Sequence, residues 1–163
     1  MIESPSRASR GALVKQRLNY AKAAPGVYDA MDVLDRYVQE CGLERPLLLL
    51  IQLRASQING CAYCLDMHWK DLRAIGETEQ RLYALPVWRE TPFFSPRERA
   101  ALAFGEEVTL LATTHVPDDA YRAASAEFSP VELGALISLI VTINAWNAIG
   151  VATRAWEPGS YQP

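Results

Sequence analysis

The longest apolar segment of the chain reads SPVELGALISLIVTINAWNAIGVAT and spans residues 129–153. Ser129 is a typical helix cap, Pro130 suits the first helical position, and Glu132 can return a hydrogen bond to the amide of the cap. From Leu133 onward the segment has no charged residue, so it is long enough to cross a bilayer. Its internal asparagines, serine and threonine, together with the lack of flanking basic clusters, favour instead a helix buried at the centre of a soluble all-helical protein or oligomer.

The rest of the sequence also predicts helices. A second serine, proline and glutamate capping box begins at Ser95, and glycines stand where three earlier helices are expected to end. The predicted helices cover residues 28–41, 46–59, 61–75, 78–85, 95–114, 118–128 and 129–155. No segment alternates apolar and polar residues as a strand does, and none repeats at a fixed period. We therefore predict an all-α domain over residues 17–163, preceded by a polar, flexible extension over residues 1–16.

The composition is that of a globular chain that can bury one core. Half of its 163 residues are apolar and 21% are charged. Sixteen basic and nineteen acidic residues give a formal net charge of −3, so the protein lacks the basic surface that binds nucleic acid. Three cysteines and two histidines are too few for a disulfide framework or a metal array. No apolar stretch follows the basic residues near the N-terminus, so we expect a cytoplasmic protein without a membrane partner.

The reactive side chains are concentrated in one segment, CAYCLDMH at residues 61–68. Cys61, Cys64 and His68 share one face of a helix, because successive residues are about 100° apart. Residues three apart on a helix lie about 5–6 Å from each other, which is within the Cα separation that a disulfide accepts. The two cysteines can therefore open and close a disulfide with little backbone movement.

Two features of this cluster favour a thiolate. Asn59-Gly60 ends the preceding helix, so Cys61 is expected at or near a helix N-terminus, where the dipole lowers a thiol pKa. His68 supports Cys64, either as a neighbouring cation or as a neutral base that takes the thiol proton. The histidine favours Cys64 as the attacking thiolate, whereas the dipole favours Cys61, and the order stays open. Such a thiolate can open a peroxide to give a sulfenic acid, which condenses with the second thiol to a disulfide that an external dithiol must reduce.

Other interpretations of the cluster fit the sequence less well. A c-type haem site needs a histidine directly after the second cysteine, where Leu65 stands, and a thioredoxin site needs an α/β pattern. A zinc site would need a fourth ligand from Cys41, His115 or an acid, and three ligands from two turns of one helix suit a tetrahedron poorly. We therefore predict no bound metal. A buried cysteine pair with a satisfied histidine and no chemistry is the structural alternative.

A resemblance to a known family is carried by LRASQINGCAYCLDMH at residues 53–68. This segment is similar to the core of the AhpD-like alkylhydroperoxidases, within the carboxymuconolactone decarboxylase family. Further similar segments are RLNY at 17–20, GETE at 76–79, WRETPFF at 88–94 and INAWN at 143–147. The resemblance therefore covers nearly everything after the N-terminal extension.

The resemblance implies an all-helical fold whose protomers assemble as homo-oligomers, often trimers or hexamers. It also implies reduction of a hydroperoxide substrate by Cys61 and Cys64, with His68 in the proton relay and an external dithiol as reductant. Decarboxylases of the family share the fold but generally lack the paired cysteines. We therefore expect an antioxidant, alkylhydroperoxidase-like oxidoreductase with peroxiredoxin-type activity that needs no cofactor.

The sequence departs from the family at one position of the relay. The family usually has a glutamate twelve residues before the first cysteine, and Leu49 stands there. Leucine cannot accept a proton, and a positioned general base contributes about 10²- to 10⁴-fold, so weak peroxidase activity is expected. Glu44, five residues earlier, is expected to be a solvated residue near the helix start rather than a substitute. The alternative function is a non-catalytic, redox-responsive or structural oligomer of the same fold.

Three further residues are candidates for a substrate pocket or its support. Tyr63, between the cysteines, is expected to line a pocket or to pack at an interface. Asn144 and Trp146 belong to the INAWN segment, as Asn147 does, and packing in the core or between subunits is the simpler interpretation for all three. Among them, Asn144 is the better candidate to reach the cysteine site.

Overall fold

The computed structural model describes residues 15–163, and in this range the chain forms helices and loops without a strand. The helices are α1 (Tyr20–Ala23), α2 (Pro25–Gln39), α3 (Arg45–Asn59), α4 (Ala62–Ala74), α5 (Glu79–Ala84), α6 (Pro96–Thr109), α7 (Leu111–Thr114), α8 (Asp118–Glu127) and α9 (Pro130–Thr153). A short 3₁₀ segment, Leu85–Glu90, connects α5 to the loop before α6. The all-α prediction is confirmed for this part of the chain. Most of the predicted flexible extension lies outside the described residues, and its boundary stays a prediction.

Helix α9 runs through the middle of the bundle and contacts α2, α3, α4, α6 and α8. Its capping box forms as expected, and Leu136, Leu139 and Ile140 are fully buried. By length and composition alone α9 could span a membrane. Of its most apolar stretch, 44% is nevertheless buried against the rest of this chain, as in a helix that contributes to the core of a bundle. The cytoplasmic location stays a prediction.

Helix α3 is the second core helix and sets the position of the cysteines. The apolar run from Leu47 to Ile51 is buried throughout, and the helix packs against α4, α6 and α9. It ends at Gly60, whose φ of 67° lies in the left-handed region that glycine adopts at low cost. The tight turn at Gly60 sends the chain directly into α4, so Cys61 stands at the corner between two packed helices.

Two local features differ from the expectation. The four-residue α1 was not anticipated, because it is too short to show a periodic pattern; the Asn19 side chain accepts a hydrogen bond from the amide of Lys22 at 3.1 Å. The helix expected over residues 95–114 is interrupted at Leu110 and forms α6 and α7. The β-branched Val108 and Thr109 directly before the break have a lowered helix propensity.

A buried carboxylate fastens α6 to α3. Glu106 accepts hydrogen bonds from Nε of Arg54 at 2.6 Å, from Nε1 of Trp88 at 3.0 Å, and from Arg89. Burial raises the pKa of this carboxyl, but the bonds from Arg89, Arg54 and Trp88 outweigh it and hold the pKa below its usual value. The bonds thus hold α3, which leads to the cysteines, against α6.

Candidate active site

The two cysteines lie at the start of α4. Cys61 is the N-cap residue, and its amide donates to the carbonyl of Ser56 at 3.1 Å. Cys64 follows in the first turn. Both side chains are buried, their Cα atoms are 5.4 Å apart, and the sulfurs are joined as a disulfide. The structure therefore places the pair at a helix N-terminus, where a thiolate is favoured once the disulfide is reduced.

His68 lies one helical turn after Cys64 and is 4% exposed. Within residues 15–163 neither ring nitrogen has a hydrogen-bond partner. Burial, reinforced by the positive charge of Arg45, lowers the pKa of His68 from 6.5 to about 3. The imidazole is therefore neutral at physiological pH, which excludes the role of a fixed cation and leaves that of a proton acceptor that must pass the proton on.

Cys64 and His68 border the same cavity of about 200 Å³. Four aromatic side chains line it and contact one another in a row. The ring centroids are 5.4 Å apart between Tyr28 and Trp146, 5.8 Å between Trp146 and Trp156, and 5.5 Å between Trp156 and Tyr63. This wall is formed by α2, α4, α9 and the C-terminal segment, so the cavity requires all four to be packed together.

Polar groups from α2 and α3 face the same cavity. Asp32 and Asp35 come from α2 and Gln52 from α3. Gln52 is 2% exposed, and its Oε1 has no hydrogen-bond partner in the described residues. Burial raises the pKa of Asp35, and the nearby charge of Asp32 raises it further. The cavity therefore combines an apolar wall with acid, amide and imidazole groups, as binding sites for small molecules commonly do.

The other cysteine borders a separate surface depression. Cys61 lines a space of about 280 Å³ together with Arg17, Arg154 and Trp156. Tyr63 and Trp156 line both spaces and thus form the partition between them. The two cysteines of one disulfide therefore border different spaces.

The asparagines of the last helix support the cysteine turn. Nδ2 of Asn59 donates to Oδ1 of Asn144 at 2.7 Å and to Oδ1 of Asn147 at 3.0 Å. Asn147 in turn donates to Oγ of Ser56 at 3.1 Å. Asn144 contacts the helix end before the cysteines and does not line the cavity next to Cys64, whereas Trp146 does. Trp146 thus lines the cavity, whereas Asn144 reaches the cysteine turn through Asn59.

The position of the missing relay glutamate, Leu49, lines a cavity that His68 also borders. Leu49 is 1% exposed and lines a second cavity, of about 390 Å³, on whose wall His68 also lies. Glu44 lies elsewhere, at the exposed start of α3, where it accepts a hydrogen bond from Arg97 at 3.1 Å. Glu44 lines neither of the two cavities that His68 borders.

Sequence reasoning missed several residues of the cavity, among them Tyr28, Asp32, Asp35, Gln52 and Trp156. A signal for the first three existed, because they are spaced by four and three residues and so share one face of α2. Trp156 carried no local signal. It follows the end of α9 and reaches the site only through the path of the C-terminal segment.

The remaining candidates lie outside the cavity. Cys41 is half-buried against the core, and His115 is exposed in the loop after α7. In the part of the chain that the structure describes, no three Cys, His, Asp or Glu side chains are grouped so that they could hold a metal ion.

Comparison with known proteins places the chain in a family. The model of the carboxymuconolactone decarboxylase family matches residues 25–107. YdfG of Bacillus subtilis, an uncharacterized protein, is 40% identical over 139 residues, which are 85% of this chain and 95% of YdfG. YnjA of Escherichia coli, also uncharacterized, is 32% identical over 92 residues, which are 56% of this chain and 50% of YnjA.

Solved structures agree with the family assignment. ATU0492 of Agrobacterium tumefaciens, a protein of unknown function proposed to be the antioxidant defence protein AhpD, gives a TM-score of 0.85 at 46% identity, over 88% of this chain and 99% of ATU0492. A peroxidase-related protein with an AhpD core from Ralstonia eutropha JMP134 gives a TM-score of 0.73 over 86% of this chain and 74% of its own. At 19% identity it shows the fold alone. The chain belongs to the carboxymuconolactone decarboxylase family and has an AhpD-like core.

Proposed function

We propose that the protein is a thiol-dependent, peroxidase-like oxidoreductase that reduces hydroperoxides with Cys61 and Cys64. The observation that supports this best is that Cys64 and the buried, neutral His68 border one cavity. The short distance between the cysteine Cα atoms further supports a cycle between dithiol and disulfide. ATU0492 is proposed to act in antioxidant defence, and we propose the same role for this chain.

The cycle has three balanced steps. In the first, His68 takes the proton of the Cys64 thiol, the thiolate attacks one peroxide oxygen, the O–O bond breaks, and the leaving alkoxide recovers a proton to give an alcohol. In the second, the Cys61 thiol attacks the sulfur of the resulting sulfenic acid, and water leaves as the disulfide forms. In the third, an external dithiol reduces the disulfide by thiol–disulfide exchange and becomes a disulfide itself.

The surroundings of the two cysteines support one order for their roles. Cys64 borders the cavity that contains His68, whereas Cys61 borders the depression with Arg17 and Arg154. We therefore assign attack on the peroxide to Cys64 and resolution to Cys61. The external dithiol then has an approach to Cys61 that does not pass through the substrate cavity.

The lining of the cavity suggests the kind of hydroperoxide. The row of aromatic rings favours a substrate with an apolar or aromatic group over hydrogen peroxide. Asp32 and Asp35 add negative charge, which disfavours a hydroperoxide that carries a carboxylate. A neutral organic hydroperoxide is therefore the proposed substrate class.

Homo-oligomer formation is a further part of the proposal. Apolar side chains of α9 remain exposed in the single chain, among them Val131 at 80% and Val141 at 51%. On α2, Val33 is 63% exposed and Tyr37 58% exposed. Exposed apolar groups of this kind are typical of surfaces that bind another protein, and a trimer or hexamer of this chain would cover them. Light scattering on the purified protein tests the number of subunits.

The peroxidase proposal is tested by adding one equivalent of cumene hydroperoxide to reduced protein and measuring peroxide and free thiols. The wild type is expected to consume the peroxide and to lose two thiols per chain. Cys61→Ser is expected to stop at a sulfenic acid on Cys64 that dimedone traps, and Cys64→Ser to leave the peroxide. If the wild type consumes no more than a Cys61→Ser, Cys64→Ser double variant, the proposal is wrong.

The second candidate is a redox-responsive or structural oligomer without turnover. It is favoured by Leu49, which places a buried apolar side chain where the family has its relay glutamate. Repeated additions of peroxide with excess dithiothreitol distinguish the two functions. Turnover supports the enzyme, whereas disulfide formation that no dithiol reverses during the assay supports the alternative.

A further inference from the structure

The proposed cycle requires a destination for the proton that His68 accepts. The ring is almost completely buried, and both nitrogens lack a hydrogen-bond partner within residues 15–163. Buried polar atoms without a partner inside the protein commonly face a bound polar group. Each nitrogen of this imidazole is therefore available to the groups that line the cavities around it.

His68 lies on the wall of both the substrate cavity and the second cavity. Asp35 also lines both of them. Of the other carboxylates at the site, Asp32 lines only the substrate cavity and Asp71 only the second one. Of these three carboxylates, Asp35 is therefore the one that lines both cavities that His68 borders.

The second cavity contains the position of the missing glutamate. Leu49 and Gln52 of α3 line it together with Asp35 of α2. The space beside His68 that a glutamate on α3 would reach is thus bordered by a carboxylate from the neighbouring element. Gln52, whose Oε1 is buried without a partner in the described residues, adds a polar group to the same wall.

The surroundings of Asp35 make its carboxylate a better proton acceptor than an exposed one. The groups that act on its pKa are Asp32, Gln39, Trp146 and Arg45. Asp71 and His68 line the same second cavity as Asp35. Burial and the charge of Asp32 raise the pKa of Asp35, while Gln39, Trp146 and Arg45 act in the opposite direction, and the pKa is raised on balance. A carboxylate with a raised pKa matches proton transfer near neutral pH more closely.

We propose that Asp35 is the acid–base residue of the thiol cycle and does from α2 what the family assigns to a glutamate on α3. This inference rests on the proposed peroxidase function. His68 accepts the thiol proton of Cys64 at one ring nitrogen and releases a proton from the other toward Asp35. The protonated Asp35 later returns a proton, through His68, to the alkoxide that leaves when the O–O bond breaks. No proton is gained or lost over the step.

The first test measures single-turnover reduction of cumene hydroperoxide by the reduced full-length protein as a function of pH. Asp35→Asn is expected to lower the rate at pH 7 by about 10²-fold, within the range for a lost general base. It is also expected to abolish the acid limb of the profile, in which the wild-type rate falls as the carboxylate takes up a proton. Asp35→Glu is expected to retain most of the rate, and the acid limb of its pH–rate profile should lie at a different pH. Asp29→Asn, on an exposed residue of the same helix, is the matched control and should behave as wild type.

The second test does not depend on peroxide and so separates this inference from the proposed function. Cys61→Ser protein is alkylated with iodoacetamide at several pH values, and mass spectrometry quantifies the peptide that contains Cys64. If Asp35 receives the proton through His68, adding Asp35→Asn slows alkylation at pH 7 by about tenfold or more, as expected for a lost base. If the carboxylate only repels the thiolate, the same variant reacts faster.

Each outcome decides one of the two proposals. A wild type that leaves peroxide intact overturns the peroxidase function, whatever the alkylation shows. A wild type that reduces peroxide, with Asp35→Asn unchanged in rate or with an unchanged acid limb, overturns the role of Asp35. Unchanged or faster alkylation of Cys64 in the Asp35→Asn background also overturns it.

Discussion

The side-chain amide of Asn59 donates a hydrogen bond to Oδ1 of Asn144 at 2.7 Å. Asn59 stands two residues before Cys61, and Asn144 lies in the middle of α9. A second bond, to Asn147 at 3.0 Å, comes from the same amide. The end of α3, where the chain turns into the cysteine helix, is therefore held by the core helix of the bundle.

Asn59→Ala is expected to destabilise the protein by about 1–3 kcal/mol, because two partly buried amide oxygens lose their donor. Urea denaturation followed by circular dichroism measures the change. Ser125→Ala, at an exposed position of α8, is the control and should change the free energy of unfolding by less than about 0.5 kcal/mol. A loss as small as that of the control would show that the asparagine contacts do not stabilise the turn.

Gly150→Ala is expected to be less stable than Gly134→Ala, although both glycines lie inside α9. A Cβ at Gly150 would stand 3.1 Å from Sγ of Cys61 and 3.2 Å from the ring of Trp156, whereas a Cβ at Gly134 meets nothing within 4 Å. Gly134→Ala should gain about 1 kcal/mol of helix propensity. Crowding should make Gly150→Ala about 1–3 kcal/mol less stable than this control. Thermal unfolding of the two variants is measured side by side. An equal gain in stability for both would contradict the packing argument.

Glu106→Gln is expected to destabilise the protein at pH 7 by about 2–4 kcal/mol, because two arginines lose a buried counter-charge. The pKa of Glu106 is held below its usual value in the folded chain. The contribution of Glu106 to stability is therefore fully present above the pKa that this residue has in the unfolded chain. It is lost as the pH falls through the pKa of Glu106 in the folded chain. Denaturation at a series of acidic pH values should show that the free energy of unfolding falls less steeply with falling pH in Glu106→Gln than in the wild type. Parallel curves would contradict the assigned ion pairs.

The burial of His68 predicts a second pH dependence, measured on the oxidised protein. Its pKa is lowered to about 3, so between the ordinary value of 6.5 and about 3 the unfolded chain binds a proton that the folded chain does not. Stability should therefore fall with falling pH by up to about 1.4 kcal/mol per pH unit from this residue. His68→Leu should lose that slope between pH 6.5 and 5, while His115→Asn, at the exposed histidine, should keep it. Equal slopes in all three proteins would show that His68 titrates in the folded state.

Much of the fold could be predicted from local patterns. The boxes at Ser95 and Ser129 place two helix starts correctly, because a capping box depends on residues only three apart. The break at Leu110 was missed, since the pattern of apolar residues continues through it. The resemblance to the AhpD-like proteins is confirmed by the family match and by the solved structures.

The residues of the candidate site also fall into two groups, those that local spacing predicts and those that it does not. Cys61, Cys64 and His68 could be grouped from their spacing on one helix, which is a property of neighbouring residues and needs no knowledge of the rest of the chain. Tyr28 and Trp156 reach the cavity from elements far apart in sequence, and no local pattern joins them to the cysteines.

The amino-acid order was sufficient to predict most of the helices, the turn at Gly60 and the pairing geometry of the two cysteines, because these depend on backbone preferences and side-chain spacing within one or two turns. Only the packing of the chain shows that His68 is buried, that Trp146 rather than Asn144 lines the cavity, and that Asp35 lines both cavities that His68 borders. Side-chain burial and the proximity of charged groups arise only when α2, α3, α4 and α9 pack together. Such contacts join residues far apart in sequence, so no short segment of the chain predicts them.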